Sequence, residues 1–165
     1  MAELTIQHLL EGHRTFDQAA SELGELVEAA AAGRTLDASA RERIACLGRM
    51  LRDESASHMK KEEEILFPAL EGFLPRDVGP LAVLRGEHHD LAALLRALVE
   101  SAEAAAAGDD ARLAPALEAA RGALQLVRNH FYKEERVLFP MVARFLSPAR
   151  DEALAAQMRA RDAIG

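Results

Sequence analysis

Tryptophan is absent, tyrosine and cysteine occur once each, and aromatic residues make up only 4% of the 165 residues. With Cys46 as its lone thiol the chain can form neither an intramolecular disulfide nor a thiolate metal cluster, which fits a reducing compartment. Cations are also in short supply. Lys and Arg number 20 against 27 Asp and Glu, a net charge of −7, and no basic stripe is available to neutralise phosphates. No apolar run approaches the length of a membrane span. The first turns carry Glu3, His8, Glu11 and His13 instead of the basic start and apolar run of a secretory leader. Glycine-rich phosphate loops are missing, and no serine or cysteine lies in phase with the histidines, which argues against a nucleophilic hydrolase. The expectation is a soluble cytoplasmic protein that engages neither nucleic acid nor membrane.

Half of the chain is apolar, with alanine and leucine dominant, a composition suited to packed helices. Its length suits one continuous core. Apolar residues recur at spacings of three and four through four long stretches, predicting helices near 3–32, 37–72, 78–107 and 111–146. The breaks between them are Gly33-Arg34, then Pro75 to Pro80, then Gly108-Asp109-Asp110, with Thr35 or Asp37 able to cap the second helix. Pro115 moves the start of the fourth helix towards Ala114. Ser147-Pro148 reads as a cap followed by a first-position proline, opening a short fifth helix on which Leu154 and Met158 pack against the bundle or make an oligomer contact. The fold class expected is all-α: an antiparallel up-down-up-down four-helix bundle over 1–146, with 147–165 a helical tail of the same domain.

One pattern occurs twice. His58, Glu62 and Leu66-Phe67-Pro68 are repeated as His130, Glu134 and Leu138-Phe139-Pro140, each element displaced by 72 residues. Before each copy stands a lone histidine on an apolar stripe, His13 and then His88. Helical phase separates these from the others, because residues three and four apart share a face. Ile6, Leu9, His13, Phe16, Ala20, Leu23 and Val27 form one stripe; Leu81, Leu84, His88, Leu91, Leu95, Leu98 and Ala102 form another. In the second helix His58 and Glu62 take two successive places between Leu51, Ser55 and Ile65, Ala69. In the fourth, His130 and Glu134 do so between Val127 and Val137, Met141. His8 and His89 share faces with charged residues and read as surface groups.

Any one of these residues is explained equally well as a hydrogen-bonded core histidine or a polar i,i+4 pair. Together they place four imidazoles and two carboxylates on four core stripes, with no basic residue on the same faces. Each buried charge without a partner costs several kcal/mol, so a cation is needed there. A pair of metal ions held by six side chains, two imidazoles and one carboxylate from each half, meets that need. Glu63, Glu135 and Tyr132 stand beside the motif, either as outer contacts to these six or as rim residues. Pro68 and Pro140 are expected to kink or end their helices.

Taken together the motifs resemble the hemerythrin-like (HHE cation-binding) family over roughly residues 6–146. The resemblance implies a non-haem di-iron centre in which His13 and His58 hold one iron, His88 and His130 the other, and Glu62 and Glu134 bridge them beside an oxo or hydroxo group. The ligand types agree with iron, manganese and zinc ranking behind it. Oxygen-carrying members use a fifth histidine one turn from the third-helix ligand, where this chain has Leu84 and Ala92. Of about 12 donor contacts for two six-coordinate metals, about 2 are then left open. Four-histidine sites also resemble those of di-iron proteins linked to iron-sulfur cluster repair under nitrosative stress, without the cysteine-bearing N-terminal segment often seen there. The implied roles are binding of or reaction with O2, NO or peroxide, in oxygen sensing or stress handling. An iron reservoir or donor, or an interaction bundle that forms a homo-oligomer, are the alternatives. Whether the site turns over is left open by these residues.

Overall fold

In the computed structural model, which describes residues 3–163, the chain reverses direction where glycine allows it. Gly33, Gly79 and Gly108 have φ values of 78°, 74° and 102°, a region that a β-carbon disfavours. Helix α1 runs Glu3–Ala31 and closes on Gly33, whose amide donates to the Ala30 carbonyl while Arg34 donates to Ala29. Asp37 then caps α2 (Ala38–Lys61), accepting from the Ala40 amide at 2.8 Å. A π turn (Glu62–Leu66) joins α2 to the short α3 (Phe67–Leu70). Gly79 precedes α4 (Pro80–Ala106). A 3-10 turn (Asp110–Arg112) leads into α5 (Leu113–Lys133), which continues through a second π turn (Glu134–Leu138) into α6 (Phe139–Phe145). Pro115 falls in the first turn of α5, where its missing amide costs no hydrogen bond. Helix α7 (Pro148–Asp162) follows the cap Ser147.

Among the described residues there are no strands. Helix α1 packs on α2 and α5, and α4 packs on the same two, giving an up-down-up-down bundle whose second and fourth rods are α2–α3 and α5–α6. The apolar stripes meet inside in two layers. The larger contains Phe16, Leu23, Leu47, Leu51, Leu95 and Leu98; the smaller contains Leu9, Leu66, Phe67, Leu81, Leu138 and Met158. A polar layer lies between them, since His13 separates Leu9 from Phe16 and His88 separates Leu84 from Leu91. Each fully buried leucine contributes about 1.5–3 kcal/mol, so the two layers together offset the desolvation of that charged plane.

At both prolines, expected to kink or end their helices, the chain makes a π turn and stays helical beyond it, to Leu70 in the first copy and to Phe145 in the second. Glu62 accepts from the amide of Phe67 and Glu134 from that of Phe139, five residues on in each case. The widened turn removes the proline ring from the carbonyl it would meet in an α-helix, and the rod continues. The same turn shifts the helical phase of the residues beyond it. Of the two residues expected in the core, Val137 is 41% exposed and Met141 is half-buried, while Leu138, Phe139 and Val142 are buried.

Helix α7 turns back along the bundle with Leu154, Ala155 and Met158 buried. Its Asp151 carboxylate accepts from the amides of Leu4 and Thr5, each at 2.9 Å, and so caps the start of α1. Asp162 receives Lys61 at 2.8 Å and lies 2.9 Å from Nε2 of His8, while Arg161 pairs with Glu64. His8 is therefore not a plain surface group; its side chain is only 14% exposed, because α7 covers it. His89 is exposed as expected.

Candidate metal centre

His13, His58, Glu62, His88, His130 and Glu134 are all buried and meet in the polar layer. Their donor atoms fall into two groups, His13 with His58 and Glu134, and His88 with His130, Glu62 and Glu134. Glu134 spans both: Oε2 accepts from His13 Nε2 at 2.8 Å, and Oε1 lies 2.8 Å from His130 Nε2. Glu62 is placed similarly, with Oε2 3.2 Å from His88 Nε2 and Oε1 3.7 Å from His58 Nε2. The Nε2 atoms of His88 and His130 face each other at 3.1 Å, close enough to share one cation as neighbouring donors.

Several of these atoms are buried with no hydrogen-bond partner: both carboxylate oxygens of Glu62, Oε1 of Glu134, and both ring nitrogens of His58. Buried acceptors are rarely left this way, since each unsatisfied group costs about 1–3 kcal/mol and more when charged. A cation among them removes that cost. Nitrogen and carboxylate donors without thiolate fit a first-row divalent ion.

The electrostatics agree. Burial pulls the pKa of His13 down, yet the hydrogen bond and charge of Glu134, helped by Glu135 and Glu62, raise it overall. In His130 the same contest ends higher: burial is outweighed by Glu134, Glu62 and Glu87, and the pKa is pushed up to about 9. Burial and the charge of Glu134 raise Glu62, whereas in Glu134 burial loses to the hydrogen bond from His13 and to the imidazoles of His130 and His58 close by, and the carboxyl is held well below its ordinary range. Protons and a cation thus compete for the same nitrogens.

Three of the imidazoles are held from behind. Nδ1 of His13 is 3.0 Å from Glu135, Nδ1 of His88 is 2.7 Å from Glu63, and Nδ1 of His130 is 3.0 Å from Glu87. Phe131 stacks on His13 with centroids 3.7 Å apart, and Phe67 stacks on His88 at 5.7 Å. Glu63 and Glu135 thus touch the site from outside. Tyr132 does not: it is 65% exposed and lies beside Arg136. Glu87 and its partner Lys133 are not evident from the sequence, since Glu87 precedes His88 yet serves His130 on another helix. Its only signal is an acidic residue one step from a core histidine. Lys61 is a buried cation next to Glu62, but its ammonium goes to Asp162.

A family model for the hemerythrin HHE cation binding domain matches residues 4–142. The chain belongs to this family. The chain shares 44% identity over 50 residues with the iron-sulfur cluster repair protein YtfE of Citrobacter koseri and of Enterobacter sp. strain 638. With the protein of that name from Escherichia coli K12 the identity is 42% over 50 residues. Each match covers 30% of this HHE chain and 23% of the relative. No solved structure matches the chain. Among the described residues no helix is long and apolar enough to cross a membrane.

Proposed function

We propose that the chain is a non-haem di-iron protein that binds or reacts with oxygen, nitric oxide or peroxide, in oxygen sensing or in handling redox or nitrosative stress. In this reading His13 and His58 hold one iron, His88 and His130 the other, and Glu62 and Glu134 each lend a carboxylate to both. The observation that carries it is the convergence of buried, unpartnered atoms of Glu62, Glu134 and His58 on one layer. Iron, when bound, supplies a redox-active centre able to take a small exchangeable ligand.

The side chains account for the rest. Glu63, Glu87 and Glu135 accept from Nδ1 of three imidazoles, which leaves each Nε2 free to donate its lone pair inward. Glu62 and Glu134 offset part of the positive charge, and Glu63, Glu87 and Glu135 behind the imidazoles offset more of it. The apolar layers on either side, with the rings of Phe131 and Phe67 against His13 and His88, keep bulk water away and favour ligands of diatomic size. Metal analysis of anaerobically purified protein, with visible spectra before and after air, is expected to give two irons per chain and a new charge-transfer band. Zinc alone, or no metal, overturns the reading. Stopped-flow mixing of the ferrous protein then separates roles: a reversible oxygen complex marks a carrier or sensor, and repeated consumption of peroxide or nitric oxide marks an enzyme.

A second reading, an iron reservoir or donor, is supported by the role that gives the YtfE relatives their name, iron-sulfur cluster repair. Transfer of iron to an apo acceptor within hours supports it, and retention in the presence of acceptor and chelator removes it.

A further inference from the structure

The two halves of the candidate centre are not held alike from behind. A carboxylate on the far nitrogen of a ligating histidine fixes the ring and strengthens it as a donor, and loss of such a partner typically lowers metal affinity about 10–100-fold. His88 and His130 each have one, Glu63 and Glu87, and Glu87 is itself held by Lys133. On the other side only His13 has one, Glu135. Nδ1 of His58 is buried and has no hydrogen-bond partner.

The surroundings of His58 explain why. Its ring lies against Gly12 of α1, where a β-carbon would come within 2.7 Å of Nδ1. The small cavity alongside, about 10 Å³, is bounded by Phe16, Met59, Leu91, Val127 and Phe131, with Ser55 and Glu54 at its edge and neither hydrogen-bonded to the ring. Ser55, one turn away, donates its hydroxyl to the Arg52 carbonyl, and Glu54 is exposed. On its inner side His58 is also the most loosely placed, with Nε2 3.7 Å and 3.8 Å from the two carboxylates, against closest approaches of 2.8, 3.2 and 2.8 Å for His13, His88 and His130.

We infer that the two metal positions differ in hold: the His88–His130 position, backed by two carboxylates, retains its ion, and the His13–His58 position, backed by one, exchanges it. This rests on the di-iron reading above. It makes the chain a centre that gives up one ion per molecule while keeping the other, with Glu63, Glu87 and Glu135 as positioning residues that set the difference.

The test uses full-length protein first shown to carry two ferrous ions per chain, then challenged anaerobically with a ferrous chelator. Release is expected in two phases of one iron each, with rates about tenfold or more apart. Mössbauer spectra are expected to show two doublets before the challenge and one after the fast phase. Glu63→Gln and Glu87→Gln are expected to accelerate the slow phase about tenfold and leave the fast one within about twofold. Glu135→Gln should accelerate only the fast phase. Glu63 and Glu135 have side chains 41% and 48% exposed, so their substitutions leave the packing intact, and at the less exposed Glu87 (14%) the amide keeps the shape of the carboxylate. A single phase carrying both irons overturns the inference, as do two phases whose rates the three variants leave unchanged or alter in the opposite assignment. Fewer than two irons at the loading step overturns the di-iron reading itself, before any chelator is added.

Discussion

At the scale of single residues, Glu134 is the most heavily used group in the polar layer. Its two oxygens reach His13 and His130, and it belongs to both donor groups, whereas Glu62 belongs to one. Glu134→Gln keeps the shape and removes the charge. We expect affinity for both ions to fall by more than about 100-fold, and the metal-free protein to melt at a lower temperature near neutral pH, because His13 and His130 lose the charge that pairs them. Metal titration and calorimetry on one preparation check both halves of this. Gly12 makes a second case. Alanine there improves helix propensity by up to about 1 kcal/mol but drives a methyl into His58. Metal content is expected to drop, chiefly at the His13–His58 position, with metal-free stability unchanged or lowered, since such an overlap in a packed interior costs about 1–3 kcal/mol. Full loading of Gly12→Ala with two ions contradicts the contact.

At the scale of elements, α7 is joined to α1 by more than apolar packing. Asp151 closes the open amides at the start of α1, a capping role ordinarily filled by a residue in the same helix. Burial raises its pKa, but the hydroxyl of Thr5 and the amides of Thr5 and Leu4 outweigh this and hold the carboxyl below its ordinary range. The stability this contributes is present above the unfolded value, about pH 3.9, and is lost as pH falls through the lower folded value. Asp151→Asn is expected to cost about 1 kcal/mol at neutral pH, or about 2–4 °C in Tm, with the gap to the parent protein closing below about pH 4. Thermal melts across that range, with hydrogen exchange at the first turn of α1, measure it. An undiminished gap at pH 3 places the effect elsewhere. The π turns belong to this scale as well. A strict 3.6-residue period carried past Glu134 puts Val137 inside, and only the extra residue in the turn brings Leu138, Phe139 and Val142 there instead.

At the scale of the whole molecule, the polar layer makes stability depend on pH in opposite ways with and without metal. With a folded pKa of about 9 against an ordinary 6.5, His130 contributes stability to the metal-free protein that is complete below about pH 6.5 and lost as pH rises through about 9. Metal binding needs the same nitrogen unprotonated, so affinity rises across that window. The metal-free Tm is expected to fall between pH 6.5 and 9 while the increment from bound metal grows. An ion present at about 100 times its Kd adds about 2.7 kcal/mol. Calorimetry with and without chelator at several pH values checks the divergence, and parallel curves refute it.

The sequence by itself determined the four stripes, the turns between them and the phase that puts His13, His58, His88, His130, Glu62 and Glu134 on the inner faces. Helical periodicity is local, and a polar residue in an apolar line is visible without knowing what lies opposite. Tertiary structure alone decided which group stands behind each imidazole. Glu87 serves His130 from 43 residues away, Glu135 serves His13 from 122 residues away, and Gly12 leaves His58 with no such partner. Those pairings depend on how the helices are rotated and spaced against one another, which is set by packing in three dimensions and leaves no period in the chain.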